Sequence, residues 1–338
     1  MKIGLWGAGS LGTILGAAMT RAGFDVELIS RNASHVAGLK ARGAQVRGTV
    51  NWTVPVRALL PGEVTESYDL VFLMTKQLDN KITVEEILPH LRPDGVICTT
   101  QNGLPELSVA DVVSVERTFG CSIAWGATLI GDGVSELTSE PDSLTFGLGS
   151  FLAEPDARWL SKIQKVLECL GPVAIEKNFL GARWAKLLIN CAFSGMSAVT
   201  GLTFGEVVRN KPSRRCVQHL LKECIDVAVA ADIDIAPIQG KDIWRLIDYK
   251  TRFKQRLSFR LLPLLIRKHR RLKASMLQDL ERGKKSEVDA INGVVVAFGK
   301  GHSVPTPYNE LVCSLVHEIE NGKIKPSPEN LTRFPVEA

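Results

Sequence analysis

Apolar and polar positions follow two different periods along this chain. In the first half, short apolar runs alternate with stretches of helical period. Ile3-Gly4-Leu5-Trp6 is a continuous apolar run, and Ser10 to Ala22 then places apolar residues on one face of a helix. Val26 to Ile29 reads as a second strand, Ala33 to Arg42 as a short helix, and Gln45 to Leu60 as extended strands with turns. Leu70 to Met74 is another unbroken apolar run, the mark of a strand buried on both faces of a parallel sheet. Val84 to Leu91 belongs to a helix and Val96 to Thr99 to a strand. Phe119 to Leu129 and Leu144 to Leu148 add strands, Ala157 to Leu170 a helix, and Val173 to Ile175 a last strand. From Phe179 the period is helical almost throughout, broken at Gly201, Pro212, Pro237 and Pro263. The change of period sets a domain boundary near residue 177, between an α/β domain and an all-helical one.

The turn after the first strand carries the first chemistry. Gly7-Ala8-Gly9-Ser10-Leu11-Gly12 is a G-x-G-x-x-G fingerprint placed between a strand and a helix. The first glycine permits the tight turn, the second lets backbone approach a pyrophosphate, and the third lets helix pack on strand. Free N–H groups at the helix start, those of Ser10 and Leu11 among them, then face the phosphates. The fold expected is therefore a Rossmann-like dinucleotide-binding domain over residues 1–177, followed by a helical substrate and catalytic domain over 178–338.

Further residues at strand ends refine the cofactor. A carboxylate that holds a ribose 2′-hydroxyl stands about 20 residues beyond the glycines in NAD-binding domains. Here that place holds Ser30-Arg31-Asn32. The planar fork of Arg31 suits a 2′-phosphate, so the cofactor expected is NADP(H), as NADPH; the plainer alternative is a solvated loop arginine. Lys76 follows the apolar run ending at Met74 and is a second candidate for cofactor contact. Asn102, in Gln101-Asn102-Gly103 after the next strand, is a candidate for the nicotinamide ribose or the substrate.

Composition adds exclusions. No apolar run approaches the roughly 18 residues that span a bilayer, and the glycine fingerprint occupies the place of a secretory leader. The seven cysteines are scattered without a C-x-x-C pair, which points away from structural zinc and toward reduced thiols in a cytoplasmic protein. No metal site is expected. The net charge of +5 is concentrated, because Lys241 to Lys273 holds twelve Lys or Arg against two Asp. That stretch has apolar residues at helical spacing (Trp244, Leu246, Ile247, Phe253, Leu257, Leu261, Leu264, Leu265) and is expected to pack partly on the second domain. Its charge either lines the approach to an anion site or forms a solvated face; neither nucleic acid nor membrane is expected as a partner.

Two constellations remain in the second half. Lys186, Asn190 and Ser194 stand four apart and share one stripe of an otherwise apolar helix. Such groups need partners or a ligand, unless the lysine reaches solvent at the helix rim. Ser275-Met276-Leu277-Gln278-Asp279, Gly283, Ser286-Glu287-Val288-Asp289 and Asn292-Gly293 follow. Ser286 is placed to cap a helix running to Phe298, with Glu287 and Asp289 as first-turn acids.

Taken together, the fingerprint, Asn102-Gly103, the segment Trp184-x-Lys186-Leu187-x-x-Asn190 and the Ser275 to Gly293 pattern resemble the ketopantoate reductase (2-dehydropantoate 2-reductase) family. Gly126-Ala127 and Pro326-Ser327-Pro328-Glu329-Asn330-Leu331 extend the resemblance to almost the whole chain. It implies NADPH-dependent reduction of 2-dehydropantoate (ketopantoate) to pantoate, a hydride transfer to a 2-oxo acid. It also implies Lys186 as general acid, Glu287 beside it and the substrate hydroxyl, and Asn102, Asn190 and Ser275 around substrate and nicotinamide. Arg31 and Lys76 would take the 2′-phosphate. The chain departs from the family at Ser194, where a second asparagine is usual, and at Leu137 to Asp142, where a glycine-rich turn is usual. Ser194 joins the substrate-binding set in that asparagine's place.

The chemistry agrees with these roles. Negative charge grows on a carbonyl oxygen as hydride reaches its carbon, and an ammonium both stabilises that charge and gives up a proton. Burial would shift the lysine toward neutrality, and a cleft between the two domains is the expected place for it. Rival readings are a reductase of another branched 2-oxo acid or an imine, favoured by Ser194, and a non-catalytic NADPH sensor. The sequence does not specify the oxo acid or whether the chain forms a homodimer.

Overall fold

A computed structural model describes residues 1–238 and 240–335, with Lys268 described by its backbone. The chain divides into two compact units, Met1–Phe179 and Leu180–Ala338.

The first unit opens with β1 (Lys2–Trp6), α1 (Ser10–Arg21), β2 (Asp25–Ile29), α2 (Ala33–Arg42), β3 (Ala44–Gly48), β4 (Trp52–Val54) and β5 (Arg57–Leu59). Then come β6 (Tyr68–Leu73), α3 (Asn80–Ile87), β7 (Leu91–Thr99), α4 (Pro105–Val113), β8 (Thr118–Ile123), β9 (Ala127–Gly131) and β10 (Val134–Leu137). It closes with β11 (Phe146–Gly149), α5 (Ala157–Leu167) and β12 (Val173–Ile175). Eight strands form one sheet in the order β12-β11-β8-β7-β6-β1-β2-β5. From β5 to β8 the strands are parallel; β11 pairs antiparallel to β8, and β12 runs with β11. The strand order reverses between β1 and β6, and such a switch point opens a crevice at the carboxyl ends of the strands.

Alternation along each strand feeds two cores. Ile3, Leu5, Val26, Leu28, Leu70 and Phe72 face α1. Trp6, Ile29, Val71 and Leu73 face Val84 and Ile87 of α3 and Val109 and Val113 of α4. Helices therefore cover both faces, as the unbroken apolar strands predict. A smaller sheet, β4-β3-β10-β9, lies apart from this one.

The structure departs from the sequence reading at several elements. Leu91 opens β7, paired with Tyr68, rather than ending a helix. Pro89 has no N–H to continue α3, which closes as a tight turn over Leu88–His90. The helix expected to reach Leu170 stops at Leu167, just ahead of Gly171-Pro172. The short strand β10 has no apolar run of its own and forms because Gly133, at φ +78°, turns the chain back along β9.

The second unit is helical. From Phe179 the chain forms α6 (Phe179–Ile189), a π-helical turn over Asn190–Ser194, α7 (Gly195–Thr200), α8 (Phe204–Arg209), α9 (Lys211–Ala230) and α10 (Ile243–Ile247). It continues with α11 (Arg252–Leu265), α12 (Ser275–Glu281), α13 (Val288–Gly301) and α14 (Pro307–Glu320). Gly201 ends α7 at φ +73°, and Pro212 stands in the first turn of α9, where a missing N–H costs nothing. Pro237 lies in the α9–α10 connection, while Pro263 is carried inside α11. Trp184 is fully buried; its indole N–H donates to the Cys224 carbonyl at 3.1 Å and its ring meets Phe298 edge-on at 5.2 Å.

The basic stretch packs less than its apolar spacing suggests. Ile247 and Leu262 are buried, but Leu246, Leu257 and Leu264 are exposed and Phe253 is 76% exposed. On α11, Phe253, Leu257 and Leu264 form the stripe opposite Ser258 and Leu262, so only one of two apolar stripes faces the unit. Among the described residues, no helix is long and apolar enough to cross a membrane.

Glu223 of α9 is 9% exposed and caps α14 from outside that helix. It accepts the backbone N–H groups of Tyr308 and Asn309 at 2.8 and 3.0 Å, and the Asn309 amide at 2.8 Å. Burial outweighs these donors and pushes its carboxyl up to about 7 from an ordinary 4.5. A carboxyl with a raised folded-state pKa binds its proton more tightly when folded. Its contribution is full at low pH and is lost as pH rises through about 7. The urea midpoint should therefore fall between pH 5 and pH 8, by an amount equivalent to at most about 3 kcal/mol from this group. Glu223→Gln should flatten that slope; equal slopes in both proteins would show that the carboxyl titrates normally.

Candidate cofactor and catalytic sites

In the first unit the fingerprint residues lie at the switch point. Gly7 has φ +110°, and a Cβ there would stand 2.4 Å from the Thr75 backbone nitrogen. A Cβ on Gly12 would stand 2.4 Å from the Gly7 carbonyl and 2.9 Å from Leu5, so this glycine permits the helix to sit on the strand. Gly9 is different. A Cβ there meets only the Gly7 carbonyl, at 4.0 Å, so the space beside its backbone is open.

Gly9 is the N-cap of α1. Among the described residues no side chain caps it, and the first turn, with Ser10 and Leu11, has no acid. N–H groups at a helix start beside open space, with no competing carboxylate, fit a pyrophosphate. His35 fixes the neighbouring helix beneath them. Its Nδ1 accepts the Gly133 N–H at 3.0 Å, which leaves the proton on Nε2 to reach Thr13 at 3.0 Å. Burial lowers its pKa, so it stays neutral.

The other proposed cofactor residues follow strands at the same end of the sheet. Arg31 comes after β2, Lys76 after β6 and Asn102 after β7. Lys76 is exposed and Asn102 half-buried. Arg31 is engaged with Glu86 of α3 at 2.8 Å, in a pair that is 57% and 42% exposed. Asn32 caps α2 by accepting the His35 N–H, which fixes the loop carrying Arg31.

The sequence reading missed Gln101. Its carboxamide nitrogen donates to Asn80 at 2.6 Å and Thr75 at 3.3 Å, and its oxygen accepts from Asn80 at 3.0 Å and Thr99 at 2.8 Å. One buried amide thus joins the ends of β6 and β7 to the start of α3 and sets the backbone that presents Asn102. Its signal in the sequence was only a polar residue at the end of a buried strand.

In the second unit, Lys186 lies on α6, and Asn190 and Ser194 open and close the π-turn. Lys186 and Asn190 are half-buried and Ser194 is buried. Such single π-turns are frequent at functional sites; helical spacing alone did not reveal this one.

Glu287 corrects an expectation. It is the N-cap of α13, not a first-turn acid, and it is buried. Ser286 stands one residue before the N-cap position, and its hydroxyl accepts the Val288 N–H at 3.3 Å, so it does serve the start of α13. It binds Glu320 through its backbone N–H at 2.7 Å and its hydroxyl at 2.8 Å, and that link sets where α13 begins. Asp289 does stand in the first turn, paired with His317 at 3.0 Å. Ser275 is the exposed first residue of α12, which packs on the π-turn and α7. The helices bearing Lys186, Ser275 and Glu287 therefore surround one irregular turn. The departure at Leu137 to Asp142 has a structural role, because the Ser139 hydroxyl accepts the Gly126 N–H at 2.9 Å.

Comparison with known proteins gives the same picture over both units. The model of ketopantoate reductase PanE/ApbA matches residues 3–150, and that of the PanE/ApbA C-terminal region matches 178–320. The 2-dehydropantoate 2-reductase of Archaeoglobus fulgidus is 28% identical over 95% of this chain and 98% of its own length. The enzyme of the same name from Pyrococcus horikoshii is 26% identical over 95% and 98%. Among solved structures, a PanE/ApbA family ketopantoate reductase from Ralstonia eutropha JMP134 aligns with a TM-score of 0.80 at 25% identity, covering 96% of this chain and 99% of that one. D-mandelate dehydrogenase, solved with NADH and anilino(oxo)acetate, shares the fold with a TM-score of 0.80 at 23% identity, covering 95% and 99%. With both family models matched in order on a Rossmann-like unit and a helical unit, this chain belongs to the ketopantoate reductase PanE/ApbA family.

Proposed function

We propose that this chain reduces 2-dehydropantoate to pantoate with NADPH, with Lys186 as the general acid. The observation that carries the reading is the second unit's π-turn, ringed by the helices of Lys186, Glu287 and Ser275. The relatives named 2-dehydropantoate 2-reductase support the choice of oxo acid. When bound, the nicotinamide supplies the hydride. The chain supplies the rest. Lys186 places a positive charge beside the carbonyl oxygen as it becomes an alkoxide, then releases a proton to that oxygen. Asn190 and Ser194 orient the oxo acid by hydrogen bonds, Glu287 holds the ammonium or the product hydroxyl, and Asn102 aligns the ribose or substrate. Ser275 adds a hydroxyl at the start of α12.

Cofactor choice rests on Arg31. Its exposed pair with Glu86 is worth about 0–1 kcal/mol, whereas a charge-assisted bond to a 2′-phosphate is worth about 1.5–3 kcal/mol. The phosphate therefore displaces the carboxylate, and Lys76 adds a second cation. A second reading, reduction of a different branched 2-oxo acid, is favoured by Ser194, whose hydroxyl is shorter than the family's amide. The D-mandelate dehydrogenase neighbour shows that an aryl oxo acid derivative is bound on this fold. Following NADPH oxidation across a panel of 2-oxo acids, ketopantoate first, separates the two readings. No turnover with any of them would leave the imine reductase and the cofactor-binding sensor as the remaining readings.

Lys186→Ala is expected to keep NADPH binding and lower kcat by about 10²–10⁴-fold; a loss below tenfold at every pH would remove it from the acid role. Arg31→Ala should weaken NADPH about 10–100-fold and leave NADH nearly unchanged, as measured by titration of each cofactor. Glu86→Gln should act in the opposite direction, tightening NADPH a few-fold by freeing the guanidinium. Equal changes for both cofactors would assign Arg31 to the fold instead.

A further inference from the structure

Asn292 of α13 is fully buried, and its carboxamide nitrogen donates twice, to the Cys191 carbonyl and to Asn309 Oδ1, each at 2.9 Å. The first acceptor is a carbonyl that the π-turn has parted from its α-helical donor. The Gly195 N–H bonds to the carbonyls of Asn190 and Ala192. Cys191 therefore lacks the donor four residues on that an α-helix would give it. A buried carbonyl needs a donor, and Asn292 supplies one from another helix in place of Gly195.

The second acceptor fixes which way the amide points. Asn309 presents its oxygen to Asn292 because its nitrogen donates to Glu223 Oε2 at 2.8 Å. Polar contacts thus run from Glu223 on α9, through Asn309 on α14 and Asn292 on α13, to the turn between α6 and α7. Gly195 leaves the room they need. A Cβ there would stand 3.0 Å from Asn292 Oδ1 and 3.0 Å from Val312 Cγ1. Among the described residues, Asn292 Oδ1 has no hydrogen-bond partner. Leaving an acceptor unmatched in a core is a cost that packing alone does not explain.

We propose that Asn292 is a positioning residue: by supplying the donor that Cys191 lacks, it holds the π-turn in shape and so fixes Asn190 and Ser194 for the oxo acid. It also ties that turn to α13, whose N-cap is Glu287. Being buried, it acts through the turn and not on a substrate. The inference rests on the reading of Asn190 and Ser194 as substrate-binding.

Asn292→Leu keeps most of the volume and removes the donor; Gly195→Ala keeps every hydrogen-bonding group and crowds the amide. Each is expected to lower kcat/KM for the oxo acid by about 10–100-fold, mainly through KM, while the dissociation constant for NADPH stays within about twofold of wild type. The double variant should lose little more than either single one, since both break one contact. A crystal structure of Asn292→Leu should show Gly195 N–H bonded to the Cys191 carbonyl, the turn relaxed to an α-helix. Should Asn292→Leu not fold, the same readouts on Gly195→Ala decide. An unchanged π-turn in the variant overturns the pin whatever the substrate. A relaxed turn with unchanged KM overturns the positioning role, as does a loss shared equally by kcat, KM and NADPH binding. If the wild-type protein turns over no 2-oxo acid, the proposed function fails, and the variant structure still decides whether Asn292 holds the turn.

Discussion

The approach of two backbones at Gly7 is the constraint on which the first unit depends. No Cβ fits between Gly7 and the Met74–Thr75 backbone, where the nearest atom would lie at 2.4 Å. Because the turn is this tight, β1 and β6 pair in register and α1 starts directly beyond β1. The same turn is closed by the Gly7 and Ala8 N–H groups, which both reach the Ile29 carbonyl at 2.9 Å. The N-terminus of α1 then faces open space beside Gly9, the place proposed for the cofactor's pyrophosphate. The close β1–β6 approach and the start of α1 both depend on one missing side chain.

The second unit uses the same device to a different end. Gly195 also leaves room that a Cβ would fill, but the room admits a side chain from another helix. Inserting one extra residue into a helical turn would ordinarily leave a buried carbonyl unsatisfied. The Asn292 amide removes that penalty for Cys191. An irregular turn can then persist in a helix whose neighbours are otherwise apolar, and its irregularity sets where Asn190 and Ser194 lie. Glu223 stands at the far end of this network, where burial raises its pKa and its three donors hold it in place.

Weak and strong electrostatics are divided sensibly between surface and core. Arg31 and Glu86 meet where solvent screens them, so their bond is worth little. Gln101, Asn292 and Asn309 are neutral amides, able to donate and accept at once, and these sit in the interior. A neutral amide can join several elements without the desolvation cost of a charge.

The sequence by itself determined the alternation of strands and helices, the shift to helices after Phe179, and the glycine turn. These are encoded in neighbouring residues, through periodicity and φ restrictions, and need no distant partner. It also set Lys186 and Asn190 on one stripe of an apolar helix, while the roles expected of them and of Glu287 came from the family resemblance. Tertiary structure alone decided the π-turn, since Lys186, Asn190 and Ser194 read as one regular stripe until the donor from residue 292 is in place. It decided that Glu287 takes the N-cap position of α13, with Ser286 held just ahead of it by Glu320, 34 residues further on. It decided that the Gln101 amide bonds Asn80 and that the Asn292 amide bonds Cys191 and Asn309. In each case the deciding contact joins residues far apart in the chain, where local pattern carries no information about hydrogen-bond partners.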